Sequence, residues 1–359
     1  MSDYRLAIYV LKRIITGFIA LVGLTIITFV LSHAGGANLA VSAYLNPNSP
    51  IPVGEQISAL KIQLHLNDPI YVQYFYYIQG LVTGQWGFTA TSVFTGPVLT
   101  AIAIFLPNTI ELSILAIFIV LIVGIKLGLL AAQEKDGPMD NAVRIVSFIG
   151  LALPAFWFAL ILQETFGSND VASFLDILPI QGVASQSLLT HVSWYTDGIS
   201  YPTHLFFLDA LIHGNFLLAI SNLEHLVLPA LTLAFSTMAI ILRMMRSSAA
   251  DSLSSDYIKT IRIKNLPDQY IMRYHVQKNA LIPTLTVGGV LLAYFLGGVV
   301  VVEYVFNYPG IGTWITQALL ADNLGGIMGA TLIFGIILIT ANLVIDLVYL
   351  ALDPRIKYQ

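Results

Sequence analysis

Long apolar stretches constrain this chain more than any other feature of its sequence. A helix needs about 20 mainly apolar residues to cross the hydrocarbon core of a bilayer. Stretches of this kind occupy residues 14–31, 109–132, 144–162, 226–242, 281–302 and 326–350. Only 10% of the 359 residues are charged, whereas soluble domains carry about 25%. The sequence therefore predicts an all-α polytopic membrane protein with about six transmembrane helices.

The first apolar stretch has two interpretations. Lys12 and Arg13 precede it and small residues follow it, as in a cleaved signal peptide. The apolar part of a signal peptide is only about 7–15 residues long, however, and this stretch is longer. We therefore expect residues 1–33 to form an N-terminal segment with a retained transmembrane helix.

The positive charges predict the orientation of the chain. Lys and Arg are concentrated in four places, namely Arg5, Lys12 and Arg13; Lys135 and Arg144; Arg243, Arg246, Lys259, Arg262, Lys264, Arg273 and Lys278; and Arg355 and Lys357. No Lys or Arg lies between Arg144 and Arg243. Because positively charged loops stay in the cytoplasm, we expect both termini and the loop 243–280 to be cytoplasmic. Segments 34–100 and 166–224 are then extracytoplasmic.

The first extracytoplasmic segment contains a short aromatic run at residues 68–87. Pro69 suits the start of a helix, and the run that follows is too short to span the membrane. Its Tyr and Trp content is typical of a helix lying at the level of the lipid headgroups. Packing against the outer ends of the transmembrane helices is an alternative interpretation, and the two are compatible.

Residues 256–283 form a basic island between two apolar stretches. Ser254, Ser255 and Asp256 are suited to a helix start, and residues 257–264 predict a helix of about two turns. Asn265 is typical of a left-handed helix end, and Pro267 followed by Asp268 predicts a second helix. A solvated basic loop is the simpler interpretation, but this order of stop and start signals favours a docking element.

The sequence contains no motif for catalysis or for nucleotide binding. GxxxxGK[ST], HExxH and GxSxG are all absent, and Cys is absent as well. The histidines match no compact metal-binding spacing. We therefore predict no catalytic residue, no metal site, no cofactor in this chain and no nucleic-acid partner. Energy for any transport must come from a partner or from an ion gradient.

The island resembles the EAA loop of ABC importer permeases, and most closely that of the dipeptide/oligopeptide/nickel permease family. The family pattern DYVRTARAKGL, followed by RHxxRNALIP, corresponds here to DYIKTIRIKNL and YHVQKNALIP. Asn265 replaces the family's Gly, and Ile261 and Ile263 replace its two Ala. Further blocks, such as HLVLPALTLA and GGVVVVEYVFNYPGIG, resemble the family in the expected order. The resemblance covers nearly the whole chain.

The resemblance implies a type I ABC importer permease fold, with residues 101–355 as the permease core. It implies a second homologous permease subunit, two ATP-binding subunits that hold ATP and Mg, an extracytoplasmic substrate-binding protein, and a multi-pass location in the cell membrane. Peptides are the expected substrate, with oligosaccharides or nickel as alternatives. Residues implied to contact the ATPase are Asp256, Tyr257, Ile258, Lys259, Thr260, Ile261, Arg262, Ile263, Lys264 and Asn265. His275 and Asn279 are expected to brace the second helix.

Residues 303–324 predict an unusual extracytoplasmic structure. Backbone rich in Gly and Pro is tolerated at membrane depth only where it is buried in protein or lines a cavity. We expect a turn and a short re-entrant helix near an outer gate, with Glu303, Tyr304, Tyr308 and Pro309 as candidate gate residues. An ordinary surface hairpin is the alternative.

A transporter driven by an ion gradient is the competing class of function. Such a protein needs carboxylates near the bilayer midplane and commonly has an internal inverted repeat. Asp346 lies close to the predicted cytoplasmic end of its helix, and no convincing repeat occurs. These observations favour the ABC importer.

We expect residues 256–283 to be protected from a membrane-impermeant labelling reagent in intact cells, because their positive charge keeps them in the cytoplasm. Permeabilised cells provide the positive control. Labelling of this segment from the exterior would contradict both the orientation and the transport assignment.

Overall fold

The computed structural model describes residues 3–166, 177–190, 192 and 202–352. Much of the predicted segment 166–224 and the cations Arg355 and Lys357 therefore lie outside the described residues, as does the side chain of Asp346. The N-terminal part contains α1 (Asp3–His33), α2 (Ala37–Ser42), α3 (Val53–Gln63), α4 (Ile70–Val82), and the antiparallel strands β1 (Phe88–Ala90) and β2 (Thr95–Pro97).

All regular elements in the rest of the described chain are helices. The helices before the basic island are α5 (Val98–Gln133), α6 (Pro138–Ala152), α7 (Ala155–Phe166), α8 (Gln186–Leu189), α9 (Phe206–Ile212) and α10 (Phe216–Ser254). The island and the segments after it form α11 (Asp256–Ile263), α12 (Asp268–Ile271), a π-helical turn (Met272–Val276), α13 (Gln277–Val305), α14 (Ile311–Leu320) and α15 (Leu324–Leu352). The predicted all-α class is confirmed.

Helices long and apolar enough to cross a membrane occupy most of the predicted stretches. Among the described residues they are Val10–His33, Val98–Gln133, Phe216–Ser254 and Leu324–Val344. The predicted stretch 281–302 lies within α13, whose 29 residues extend about 44 Å. Several side chains of α13 are outside the description.

The predicted stretch 144–162 is not one straight span. It falls on α6 and α7, which meet at an angle of 107°. Leu153 adopts an extended conformation before Pro154, as expected because a proline disfavours helical geometry in the residue that precedes it. The sequence-based expectation of a continuous helix is therefore corrected to two helices joined at a proline bend.

Close packing of α5 against α10 forms the centre of the bundle. A Cβ atom added to Gly124 would lie 2.7 Å from the Ile241 side chain, and one added to Gly128 would lie 2.8 Å from Met245 Cβ. Gly128 also faces the Leu242 carbonyl oxygen, at 2.9 Å from the added atom. Small residues spaced four apart let helix backbones approach closely in lipid.

The aromatic helix α4 packs along the end of α1. The Tyr74 and Tyr77 hydroxyls lie 2.9 and 2.8 Å from the hydroxyls of Thr25 and Thr28, respectively. Ile70, on the same helix, is 63% exposed. The structure thus shows the packing against α1, and the opposite face of α4 exposes apolar side chains. The location of this helix at the lipid headgroups stays a prediction.

The strands β1 and β2 form a hairpin that the sequence analysis did not predict. The hairpin is held in place at two glycines, where backbone from another part of the chain comes very close. A Cβ atom on Gly87, which has a φ of 99°, would lie 2.5 Å from the Ala43 carbonyl oxygen, and one on Gly325 would collide with the Phe88 carbonyl oxygen. The hairpin therefore sits directly against the start of α15.

Replacing Gly128 by Val tests the α5–α10 contact. We expect a loss of about 1–3 kcal/mol of stability, because the added methyl groups overpack a contact that includes backbone. The measurement is the thermal unfolding midpoint of the purified protein in detergent. Gly23→Val is the matched control, since Gly23 lies in α1 with no atom within 4 Å of an added Cβ. An equal loss in both variants would contradict the packing role.

Candidate functional site

The short helix α11 begins and ends where the sequence predicted, within one residue. Ser255 is its N-cap, with extended backbone dihedrals, and Asp256 lies in its first turn. It ends before Asn265, whose φ of 56° is left-handed. Asn tolerates this conformation better than other residues with a Cβ atom. The predicted stop signal therefore operates as expected.

One face of α11 is buried against the bundle. Ile258 is fully buried and packs in a cluster with Met245 and Ala249 of α10 and Ile271 of α12. Ile261 packs at the edge of the same cluster. The family resemblance implies that Ile258 and Ile261 contact a partner, but the structure places them on the inner face. This apolar contact holds a helix that is too short to be stable alone.

A polar contact also fixes α11. The Asn279 side-chain amide donates a hydrogen bond of 2.8 Å to the Tyr257 hydroxyl, which is also bonded to the Ser252 hydroxyl. Asn279 thus joins α11 to α13, whereas the sequence analysis expected it to brace the second helix. His275 lies near Tyr270, with ring centroids 6.0 Å apart.

The second helix of the island continues directly into α13. The π-helical turn Met272–Val276 connects α12 to α13 without a loop, and Pro283 lies inside the continuous helix. Single π turns in α-helices occur frequently at functional sites. The second helix of the island, the π-helical turn and α13 therefore form one continuous helical segment.

The outer face of α11 and the turn after it combines positive charge with an apolar tip. Lys259, Arg262 and Lys264 are exposed, and Ile263 is 85% exposed. The Lys259–Asp256 ion pair has a distance of 2.7 Å but is solvent-accessible, so it contributes little to stability. The exposed face, rather than the whole helix, is what a partner can contact.

A buried carboxylate that the sequence analysis missed joins α6 to α10. Asp140 is fully buried and accepts hydrogen bonds from two nitrogen atoms of Arg246. Arg144 lies 2.7 Å from the same carboxylate and 2.8 Å from Asp136. Bidentate pairing with arginine offsets the cost of burying the carboxylate. In the sequence alone, Arg144 and Arg246 are recognisable only as charges that predict orientation.

Residues 303–314, here named the PGIG turn, form a buried structure around Glu303. The fully buried Glu303 carboxylate accepts hydrogen bonds of 2.6 Å from the Thr109 hydroxyl and from the Gly312 backbone N–H. The Thr109 hydroxyl accepts a bond of 2.8 Å from the Ile311 N–H. A carboxylate at a helix N-terminus is favoured by the exposed N–H groups and the helix dipole. The hydrogen bond between Glu303 and Gly312 thus joins α13 to α14. The bond between Glu303 and Thr109 joins α13 to α5.

The glycines of the PGIG turn make room for the Glu303 carboxylate. A Cβ atom on Gly310 would collide with that carboxylate, and one on Gly312 would collide with Val300 and lie 2.8 Å from a Glu303 oxygen. Tyr308 is fully buried, and the Pro309 carbonyl accepts a hydrogen bond of 2.7 Å from Asn108.

These contacts place the turn inside the protein. An ordinary surface hairpin, the alternative interpretation, does not fit the burial of Tyr308 and Trp314, whose side chains are both 0% exposed. Tyr304 differs from its neighbours, with 46% exposure. Of the four candidate gate residues, Glu303 and Tyr308 are therefore packing residues of the turn, and the partly buried Pro309 is bonded to Asn108 through its carbonyl. Tyr304 is open to lipid, solvent or a partner. The role of the turn as a gate stays a prediction.

Comparison with known proteins identifies the family. Residues 124–358 match the family model described as "binding-protein-dependent transport system inner membrane component". The chain belongs to this family. Residues 6–112 match the model of the N-terminal part of such membrane components.

Curated relatives of this membrane-component family span nearly the whole chain. A probable D,D-dipeptide transport system permease protein of Escherichia coli (strain K12) is 37% identical over 93% of each chain. A dipeptide transport system permease protein of Alkalihalophilus pseudofirmus is 35% identical over 98% of this chain and 99% of its own. An oligopeptide transport system permease protein of Bacillus subtilis (strain 168) is 31% identical over 98% and 100%, respectively. The predicted resemblance to an ABC importer permease of the peptide family is confirmed.

Replacing Glu303 by Gln tests the PGIG turn. The Gln side chain has the same size as Glu but presents an NH₂ group to one of the two hydrogen-bond donors. Because that donor then has no acceptor, we expect the free energy of unfolding to fall by about 1–3 kcal/mol. The thermal unfolding midpoint of the purified protein measures it. Glu224→Gln, at an exposed position of α10, is the control and should leave the midpoint within experimental error. An unchanged midpoint for Glu303→Gln would mean that the carboxylate does not stabilise the turn.

Proposed function

We propose that this chain is the permease subunit of an ABC importer in the cell membrane and forms half of a pathway for peptides. A second homologous permease subunit forms the other half. Two separate subunits bind ATP and Mg, and an extracytoplasmic binding protein delivers the substrate. The chain itself has no nucleotide-binding loop. Family membership and the names of the relatives, which are dipeptide and oligopeptide permeases, support this assignment.

The observation that carries the proposal is the geometry of α11. Its inner face is fixed to α10 and α12 through Ile258, and Tyr257 is bonded to Asn279 of α13. Its outer face presents Arg262 and Ile263. A helix attached in this way moves together with the helices behind it.

The mechanism follows from two rigid arrangements of the bundle. ATP binds more tightly to the closed pair of ATP-binding subunits, so binding shifts the equilibrium toward the arrangement that matches closure. The exposed face of α11 follows the cleft in which it sits. The continuous helix from α12 through the π turn passes that displacement to α13, whose other end carries Glu303 and the PGIG turn. In this proposal the two ends of α13 connect the nucleotide cycle to the outer side.

Replacing Arg262 and Ile263 together by Asp tests the proposed coupling. Ile263 is replaced rather than Ile261, because Ile263 is exposed whereas Ile261 packs against the inner cluster. We expect ATP-driven peptide uptake into proteoliposomes to fall by about tenfold or more, since a loss of 1.4 kcal/mol at the contact already weakens it tenfold. The protein should still insert and fold.

The matched control is Arg262→Lys with Ile263→Leu. This pair keeps the positive charge and the apolar side chain at the same two exposed positions. It should leave ATP-driven uptake unchanged. Normal uptake by the Arg262/Ile263 variant, measured with ATP hydrolysis in the same vesicles, would refute the coupling role of α11.

A further inference from the structure

A cleft of about 300 Å³ opens between the end of α3 and the middle of α4. Its walls include Tyr44, Gln63, His65, Tyr76, Gln79 and Gly80. The volume is at the lower end of the range for ligand pockets, about 300–1,000 Å³. The cleft lies in segment 34–100, which the charge distribution predicts to be extracytoplasmic. It is separate from the coupling segment and from the PGIG turn.

The lining of the cleft is polar and aromatic. Gln63, Gln79 and Gln85 line it, and the Gln63 amide donates a bond of 3.3 Å to the Gln85 side-chain oxygen. Each amide offers both donors and an acceptor, as a peptide backbone does. The His65 ring stacks on Tyr76 at 3.6 Å, and its Nδ1 is 2.7 Å from Asp68.

Charge restricts what can bind there. The residues that line the cleft include no Asp, Glu, Lys or Arg, and the nearby Asp68 carboxylate is already bonded to His65. A free dipeptide carries an ammonium and a carboxylate group, and neither would find an unpaired charged group among the lining residues. Desolvating such groups without a partner is costly. An uncharged segment inside a longer polypeptide fits the lining better.

Gly80 is the observation that points to an occupant. A glycine inside a helix costs about 0.5–1 kcal/mol relative to Ala. Its backbone is helical, and the nearest atom to an added Cβ, in Gln85, would be 3.7 Å away, which is an ordinary contact. Within the part of the chain that the structure describes, neither backbone conformation nor packing requires glycine at position 80. A side chain there would occupy the cleft, so glycine keeps the cleft open.

We propose that this cleft receives an extended, uncharged loop of the extracytoplasmic binding protein. The loop's backbone amides pair with the glutamine side chains, and an apolar side chain rests on the Tyr76 and His65 rings. The inference rests on the proposed function, because it needs a binding protein as partner. It adds a specific contact site to that function.

Gly80→Leu in the complete transporter tests the proposal. We expect the concentration of loaded binding protein that half-saturates ATP hydrolysis to rise by about tenfold, which corresponds to about 1.4 kcal/mol. Turnover at saturation should be retained. Gly54→Leu is the matched control, because Gly54 is also helical and exposed in segment 34–100, with no atom within 4 Å of an added Cβ. The control should shift the half-saturating concentration by less than about twofold.

A photo-crosslinking residue at Thr83, in the wall of the cleft, identifies the occupant. Crosslinks to one loop of the binding protein support the proposal, and exposed Ser58 is the control position. Crosslinks to free peptide, to lipid or to the second permease subunit instead would overturn it, as would equal half-saturating concentrations for Gly80→Leu and Gly54→Leu. If binding protein fails to stimulate even the unmodified transporter, the proposed function itself fails.

Discussion

Helices in a bilayer gain little from contacting one another through apolar side chains, since lipid is equally apolar. The bundle therefore depends on close backbone approach and on buried polar contacts. Gly124 and Gly128 allow α5 to approach α10. Asp140 with Arg246 joins α6 to α10, and Glu303 with its donors joins α13 to α14 and α5.

Helix α13 connects the basic island to the PGIG turn. Near its start, Asn279 holds Tyr257 of α11, and near its end Glu303 holds the PGIG turn. The helix is continuous between them, and the π turn before it leads to α12 without a flexible loop. In the proposed mechanism, this continuous helix links the island, predicted to be cytoplasmic, to the PGIG turn, predicted to be extracytoplasmic.

The local signals in the sequence predicted the island well. Ser255, Asn265 and Pro267 each act through their own backbone preferences, so their roles could be predicted without knowing the fold. Which face of α11 is buried could not be predicted in this way. Ile258 and Ile263 are the same residue type, yet one is fully buried and the other is 85% exposed. Only the position of α10 and α12 distinguishes them.

Long-range polar pairs were missed for a related reason. Asp140 and Arg246 are far apart in sequence, and each alone resembles an ordinary loop charge. The bend between α6 and α7 was also missed, although Pro154 marks its position, because hydropathy alone does not distinguish a straight span from a broken one. The hairpin of β1 and β2 is too short to give a clear alternating pattern. Its backbone contacts depend on Gly325, far along the chain.

The sequence by itself determined that the chain lies in a membrane, that it is helical, and where the helices of the island stop and start. It also predicted the orientation of the chain. These features follow from composition, charge and single-residue preferences, which act locally. The tertiary structure alone decided which side chains face inward, which carboxylates find donors, and where an open cleft is left beside Gly80. Those outcomes depend on distances between segments remote in sequence, and such distances exist only once the helices have packed.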